Sequence, residues 1–358
     1  MKPAPKPLVA VSSETLAAFD SIVDVRSTAE YAEDHIPGAI SAPVLDNDER
    51  ESVGTLYKQV SPFDAKKLGA ALVAKNIARH IEEKFSAMPR QWKPLVYCWR
   101  GGKRSGALAH VLREIGWDAW SIEGGYKAYR KFLIDELAAL PGRYTYRVIH
   151  GTTGSGKSRL LRALGDAGAQ VLDLEDLAAH RGSVLGNLPD RPQPTQKYLE
   201  TLVWDKLRKF DPARTVFVEG ESKKIGQLQV PEALMFSMRS SECVVLEAGR
   251  ETRIALLCDE YRHFFTEPEG LHVQLDCLRG LYGAKVIDDW KAMASRGEWS
   301  QLVGCLLDDH YDPAYRRSAL KNFAQLPGAR RVVLDSPADS AFEALARKLT
   351  QEAQLEPA

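Results

Sequence analysis

Short, nearly uninterrupted apolar runs alternate with longer segments of helical period along this chain. The runs are residues 8–11, Ile22-Val23-Asp24-Val25, Leu95-Val96-Tyr97, Tyr146-Arg147-Val148-Ile149-His150, Val171-Leu172, Thr215-Val216-Phe217-Val218, Cys243-Val244-Val245-Leu246 and Arg331-Val332-Val333-Leu334. Runs of this length, apolar on both faces, predict strands buried in a parallel sheet. Between them, residues 13–19, 106–112, 129–140 and 159–164 predict helices, and Leu68, Leu72, Ile77, Ile81 and Phe85 recur at roughly helical spacing. From 254 to 323 the pattern is mainly helical. Strand–helix alternation places the chain in the α/β class. Pro141-Gly142 closes one series and precedes another, which predicts domains at 1–142 and 143–358. Asp46-Asn47-Asp48-Glu49-Arg50-Glu51 reads as an acidic loop.

Composition narrows the classes. Apolar content of 44% and charged content of 27% suit a globular chain, and 48 cations balance 48 anions, so any polyanion must meet a local patch. No apolar run approaches the ~20 residues of a membrane span. Five cysteines without a Cys-x-x-Cys pair exclude a zinc ribbon or disulfide scaffold and point to a reducing compartment. The proline-rich start, Met1 to Pro7, lacks a signal-peptide core, so a cytoplasmic location without membrane contact is expected. Cys243, Cys258, Cys277 and Cys305 read as core.

Two loops carry the chemistry. The first is Cys98-Trp99-Arg100-Gly101-Gly102-Lys103-Arg104-Ser105, between a strand and a helix. Backbone N–H groups at a helix N-terminus, with three cations nearby, favour a nucleophilic thiolate at Cys98 and an anion held by Arg100, Gly101, Gly102, Lys103, Arg104 and Ser105. The second is Gly151-Thr152-Thr153-Gly154-Ser155-Gly156-Lys157-Ser158, which also joins strand to helix. Its glycines turn backbone amides toward a di- or triphosphate, Lys157 reaches the phosphates, and Ser158 offers a hydroxyl to Mg2+. Glu219 and Glu221 end a later strand and can reach that metal or a water. The glycine-punctuated loop His180-Arg181-Gly182-Ser183 is expected near the phosphates. Arg250 and Arg253 read equally as a phosphate lid or as an exposed helix face.

From Arg90 to Arg113 there are six Lys/Arg and no acid. Arg90 and Lys93, extended by Lys127, Arg130 and Lys131, form a candidate phosphate-backbone footprint.

Asp24-Val25-Arg26-Ser27, Glu30-Tyr31, His35-Ile36-Pro37-Gly38-Ala39, the cysteine loop and Glu123-Gly124-Gly125-Tyr126 resemble the rhodanese (sulfurtransferase) domain, with the first three as framework. Five residues separate Cys98 from Arg104 where many rhodaneses have four, which predicts a wider anion cradle. Fused to a P-loop domain with a helical C-terminal part, and with Val53-Gly54-Thr55-Leu56-Tyr57-Lys58-Gln59 and Glu219-Gly220-Glu221-Ser222, the chain resembles the tRNA 2-selenouridine synthase family over essentially its whole length. Lys103 stands where methionine is associated with that family. The resemblance implies a transferase acting on tRNA: wobble 2-thiouridine exchanges sulfur for selenium from selenophosphate, through S-geranyl-2-thiouridine made with geranyl diphosphate. It implies no tightly bound cofactor. The alternative from another class is a P-loop ATPase or kinase regulated by a rhodanese domain.

Overall fold

A computed structural model describes residues 7–183, 185–220, 222–315, 323 and 325–355. The chain forms two compact units, one up to Glu136 and one from Leu137. No helix among the described residues is long and apolar enough to cross a membrane.

The first unit is built on five parallel strands, β1 (Leu8–Val9), β2 (Ser21–Asp24), β3 (Ile40–Ser41), β4 (Pro94–Tyr97) and β5 (Trp120–Ile122), in the order β1-β5-β4-β2-β3. Every residue of β4 is buried, as a central parallel strand demands. Val23, Val96, Phe85, Trp92, Leu108 and Leu112 form the core beside it.

The acidic run after residue 45 is a helix start, not a loop. Asp46 accepts from the Glu49 amide at 2.8 Å, and Glu49 accepts from the Asp46 amide at 3.0 Å, opening the helix Asn47–Gln59. This reciprocal cap satisfies two amides that a helix end otherwise leaves unpaired, and it places the acids at the positive end of the helix. Pro62–His80 follows, and Asn76 ties it back to Glu49 at 2.7 Å.

The second unit has strands β6 (Tyr146–His150), β7 (Gln170–Leu172), β8 (Val216–Glu219), β9 (Lys224–Ile225), β10 (Leu228–Gln229), β11 (Glu242–Ala248) and β12 (Arg330–Leu334). Its main sheet is parallel throughout, in the order β12-β11-β6-β8-β7, with β9 and β10 as a separate antiparallel pair. Successive strands go to one side of β6 and then to the other. The crevice at its C-terminal end is therefore a switch point, where open α/β sheets bind ligands. Leu160, Leu161 and Leu164 of the helix Lys157–Asp166 pack with Phe342, Ala346 and Leu349 of Asp339–Leu355 over this sheet. A separate helical core gathers Phe264, Leu275, Ile287, Trp290 and Leu302. Of the cysteines expected in the core, Cys243 is buried, Cys258 and Cys305 are half-buried, and Cys277 is exposed at the end of the helix Pro268–Asp276.

Candidate functional site

Cys98 follows β4 directly, and the helix Lys103–Ile115 begins after Gly102. The Gly102 amide donates to the sulfur at 3.3 Å, and the Ser105 hydroxyl lies 3.2 Å from it. Burial pushes the thiol pKa up, but the hydrogen bonds from Ser105, Gly102 and Arg100 outweigh it and hold the thiol below its ordinary value. The cations expected to do this are placed otherwise. Arg104 turns to Glu30 at 2.9 Å, while Arg100 and Lys103 extend outward, exposed. Ser105→Ala is therefore expected to raise the Cys98 pKa, read from thiolate absorbance against pH. A curve superimposing on that of the parent protein would show that the hydroxyl does not set it.

The loop is locked from below. Gly125 has φ +60°, and a Cβ there would lie 2.2 Å from the Cys98 carbonyl oxygen; Gly101 has φ +62°, and its Cβ would lie 2.4 Å from that of Ile122. This close approach lets the Tyr126 amide donate to the Cys98 carbonyl at 2.8 Å and the Lys127 amide to that of Trp99 at 3.1 Å. The Glu123–Tyr126 motif is thus the floor of the cysteine loop. Behind it, the Arg26 guanidinium donates to Asp24 at 2.7 Å and stacks over Tyr126 at 4.0 Å, and Tyr126 donates to Asp34 at 2.7 Å.

Arg130, expected on a phosphate-binding surface, belongs to this framework: it is mostly buried, 3.7 Å from Asp34. Lys93 is half-buried, 3.9 Å from Asp118 and over the Phe19 ring. Arg90, Lys127 and Lys131 are exposed.

In the second unit, the Gly151–Ser158 loop joins β6 to the helix Lys157–Asp166. Lys157 donates to the Gly151 carbonyl at 2.9 Å. Ser158 donates to Glu175 at 3.0 Å, and the Glu175 amide donates to Glu219 at 2.6 Å. Glu175, just past β7, thus joins the residues expected at a metal; nothing in its own sequence marks it for that place. Glu221 lies outside the described residues. No cluster of three His, Cys, Asp or Glu side chains among the described residues could hold a metal ion. The hard oxygens of Ser158, Glu175 and Glu219 nevertheless suit Mg2+ that arrives with phosphate oxygens as further ligands.

A cavity of about 390 Å3 spans the loop, with Arg181, Gly182, Ser183, Tyr311 and Tyr315 among its walls. Arg253 is neither lid nor exposed face. Mostly buried, it donates to the Thr153 carbonyl at 2.9 Å and pairs with Asp312 at 3.0 Å. Tyr315 accepts from the Gly151 amide at 3.1 Å. Sharing Thr153, Leu257, Tyr261 and Tyr311 with this cavity is an apolar slot of about 50 Å3, which extends to Phe264, Phe265, Trp299 and Leu306.

Family models match both units: a rhodanese-like domain over 11–132 and the tRNA 2-selenouridine synthase AAA domain over 144–269. Proteins named tRNA 2-selenouridine synthase align from Marinobacter nauticus, 36% identical over 82% of this chain and 87% of the relative, and from Shewanella piezotolerans, 32% over 84% and 89%. The chain belongs to the tRNA 2-selenouridine synthase family. A relative of the same name from Nitrosomonas europaea is 34% identical over 70% of this chain, an alignment spanning 65% of that relative. The family's AAA model takes in the phosphate loop, Glu175, Arg181, Glu219 and Arg253. Tyr311 and Tyr315, which close the same cavity, lie beyond its end.

Proposed function

We propose that this protein acts on tRNA, exchanging the wobble 2-thiouridine sulfur for selenium in two steps served by the two loops. In the first, the sulfur attacks C1 of geranyl diphosphate. The S–C1 bond forms, the C1–O bond breaks, diphosphate leaves with the electron pair, and the N3 proton is lost. In the second, the selenium of selenophosphate attacks C2, the C2–S bond breaks and geranyl thiolate leaves with the electron pair. Water then attacks phosphorus, the Se–P bond breaks, and inorganic phosphate departs, leaving selenium on C2. Alkylation is what makes the second step feasible, because thiocarbonyl sulfur is a poor leaving group and the S-alkyl form has a more electrophilic C2.

The observation carrying this reading is the apolar slot that shares Thr153, Leu257, Tyr261 and Tyr311 with the phosphate cavity. A diphosphate head with an apolar tail matches that pair of surfaces, whereas the ribose and base of a nucleotide need polar partners. Lys157, the loop amides and Arg181 face the diphosphate. Mg2+ held by Ser158, Glu175 and Glu219 would neutralise part of its charge. Selenophosphate sits at the cysteine loop, where Cys98 guides its selenium toward C2, and Arg90, Lys103, Lys127 and Lys131 offer cations to the tRNA backbone.

The test is mass spectrometry of nucleosides from 2-thiouridine tRNA treated with the purified protein. Geranyl diphosphate alone is expected to give S-geranyl-2-thiouridine, and selenophosphate added afterwards to give 2-selenouridine. Turnover of ATP or GTP with no geranylated nucleoside would overturn the assignment in favour of a P-loop ATPase.

A further inference from the structure

His150, the last residue of β6, is 1% exposed, and neither of its ring nitrogens has a hydrogen-bond partner among the described residues. A buried polar side chain without a partner is a cost to the fold, and native proteins rarely carry one without a reason. This ring is positioned by shape. Phe323 meets it edge-on with ring centroids 4.4 Å apart, and Gly220 lies so close that a Cβ there would stand 2.3 Å from it. His150 also lines the phosphate cavity, together with Gly154, Gly156 and Lys157. Burial, and then the Lys157 charge, push its pKa down to about 4. At neutral pH the imidazole is uncharged and offers one N–H donor and one acceptor nitrogen.

We propose that His150 is a binding residue of the phosphate cavity, its neutral ring donating its N–H to an oxygen of the bound diphosphate. The proposal rests on the diphosphate reading of that cavity given above. A neutral donor has a specific advantage here. Lys157 already supplies a full positive charge to the loop, and a second cation beside it in a buried site would repel it. An uncharged N–H satisfies a phosphate oxygen without that repulsion. Gly220 then has a function as well: any side chain there would displace the ring.

The experiment is calorimetric titration of the full chain with inorganic pyrophosphate and with geranyl diphosphate. His150→Leu is expected to bind both about 10-fold more weakly or worse, the loss typical of a hydrogen bond to a charged group. Its melting temperature should equal or exceed that of the parent, because an unpartnered polar ring has been replaced by an apolar side chain. His150→Gln, which keeps an N–H donor, should recover most of the affinity. Binding by His150→Leu within two-fold of the parent, or a lowered melting temperature with affinity intact, would overturn the proposal and leave a packing role. Should the Leu variant fail to fold, the imidazole resonances of the unsubstituted protein decide. The His150 nitrogen signals should shift as pyrophosphate saturates the site, and an unchanged spectrum overturns the proposal. If the unsubstituted protein binds neither ligand, the diphosphate reading of the cavity itself falls, and this proposal with it.

Discussion

Lys157→Ala is expected to lower geranylation of 2-thiouridine tRNA by at least ~10²-fold, the scale on which a preorganised charge stabilises a leaving anion in a dry site. The lysine begins the helix behind the phosphate loop and donates to the Gly151 carbonyl at 2.9 Å, so it stands in the loop ready to exchange that carbonyl for a phosphate oxygen. Conversion of tRNA already carrying S-geranyl-2-thiouridine breaks no bond to diphosphate and should survive the substitution. Cys98→Ser should show the reverse, with geranylation kept and selenation lost. Tyr97 and Cys98 are buried, and the loop is held by backbone hydrogen bonds that the substitution leaves in place. Geranylated tRNA made by Cys98→Ser should then be a substrate for Lys157→Ala, so that the two variants complement each other in sequence. Equal loss of both steps in a folded Lys157→Ala that still binds tRNA would replace the prenyl-donor reading with a nucleotide-driven step common to both reactions.

Gly125→Ala should collapse the cysteine loop. The new methyl group would stand 2.2 Å from the Cys98 carbonyl oxygen and 2.3 Å from the Gly101 nitrogen. Both are backbone atoms, and neither can swing aside as the end of a flexible side chain can. The left-handed φ of +60° adds its own penalty. Left-handed strain of ~1–2 kcal/mol together with an overpacking cost of ~1–3 kcal/mol gives a destabilisation of roughly 2–5 kcal/mol for the first unit. Calorimetry of the whole chain should show one transition moved down. The Cys98 pKa should rise as the Gly102 amide is pulled off the sulfur. Gly54→Ala is the control: it lies within the helix Asn47–Gln59, with nothing within 4 Å of the added carbon, and should be neutral or gain up to ~1 kcal/mol. A Gly125→Ala protein that melts with the parent would show that the loop has slack the geometry does not reveal.

The two loops are legible in the sequence because each is a run of consecutive residues whose order is its chemistry. So are the central strands, since burial on both faces leaves an apolar run with little else to become. What joins distant segments is not legible. Glu175 meets Ser158 across 17 positions and Glu219 across 44, and Arg253 grips the phosphate loop from 100 residues away. Local composition even misleads. The acids from Asp46 to Glu51 look like a solvated loop, yet Asp46 and Glu49 cap a helix. Arg104 and Arg130 look like free cations of a basic stretch, yet Glu30 and Asp34 claim them. The sulfur is activated by a hydroxyl and amides of its own loop, while charge counting points to the arginines.

The tethers on the phosphate loop also impose an order on biosynthesis. Gly151 and Thr153 are held by Tyr315 and by the Arg253–Asp312 pair, so the loop has no complete cradle until the ribosome has delivered those partners. Tyr315 follows the loop by roughly 160 residues, which at translation rates of about 5–20 residues per second is a delay of ~8–30 s. Through that interval the phosphate loop of the nascent chain is without those tethers.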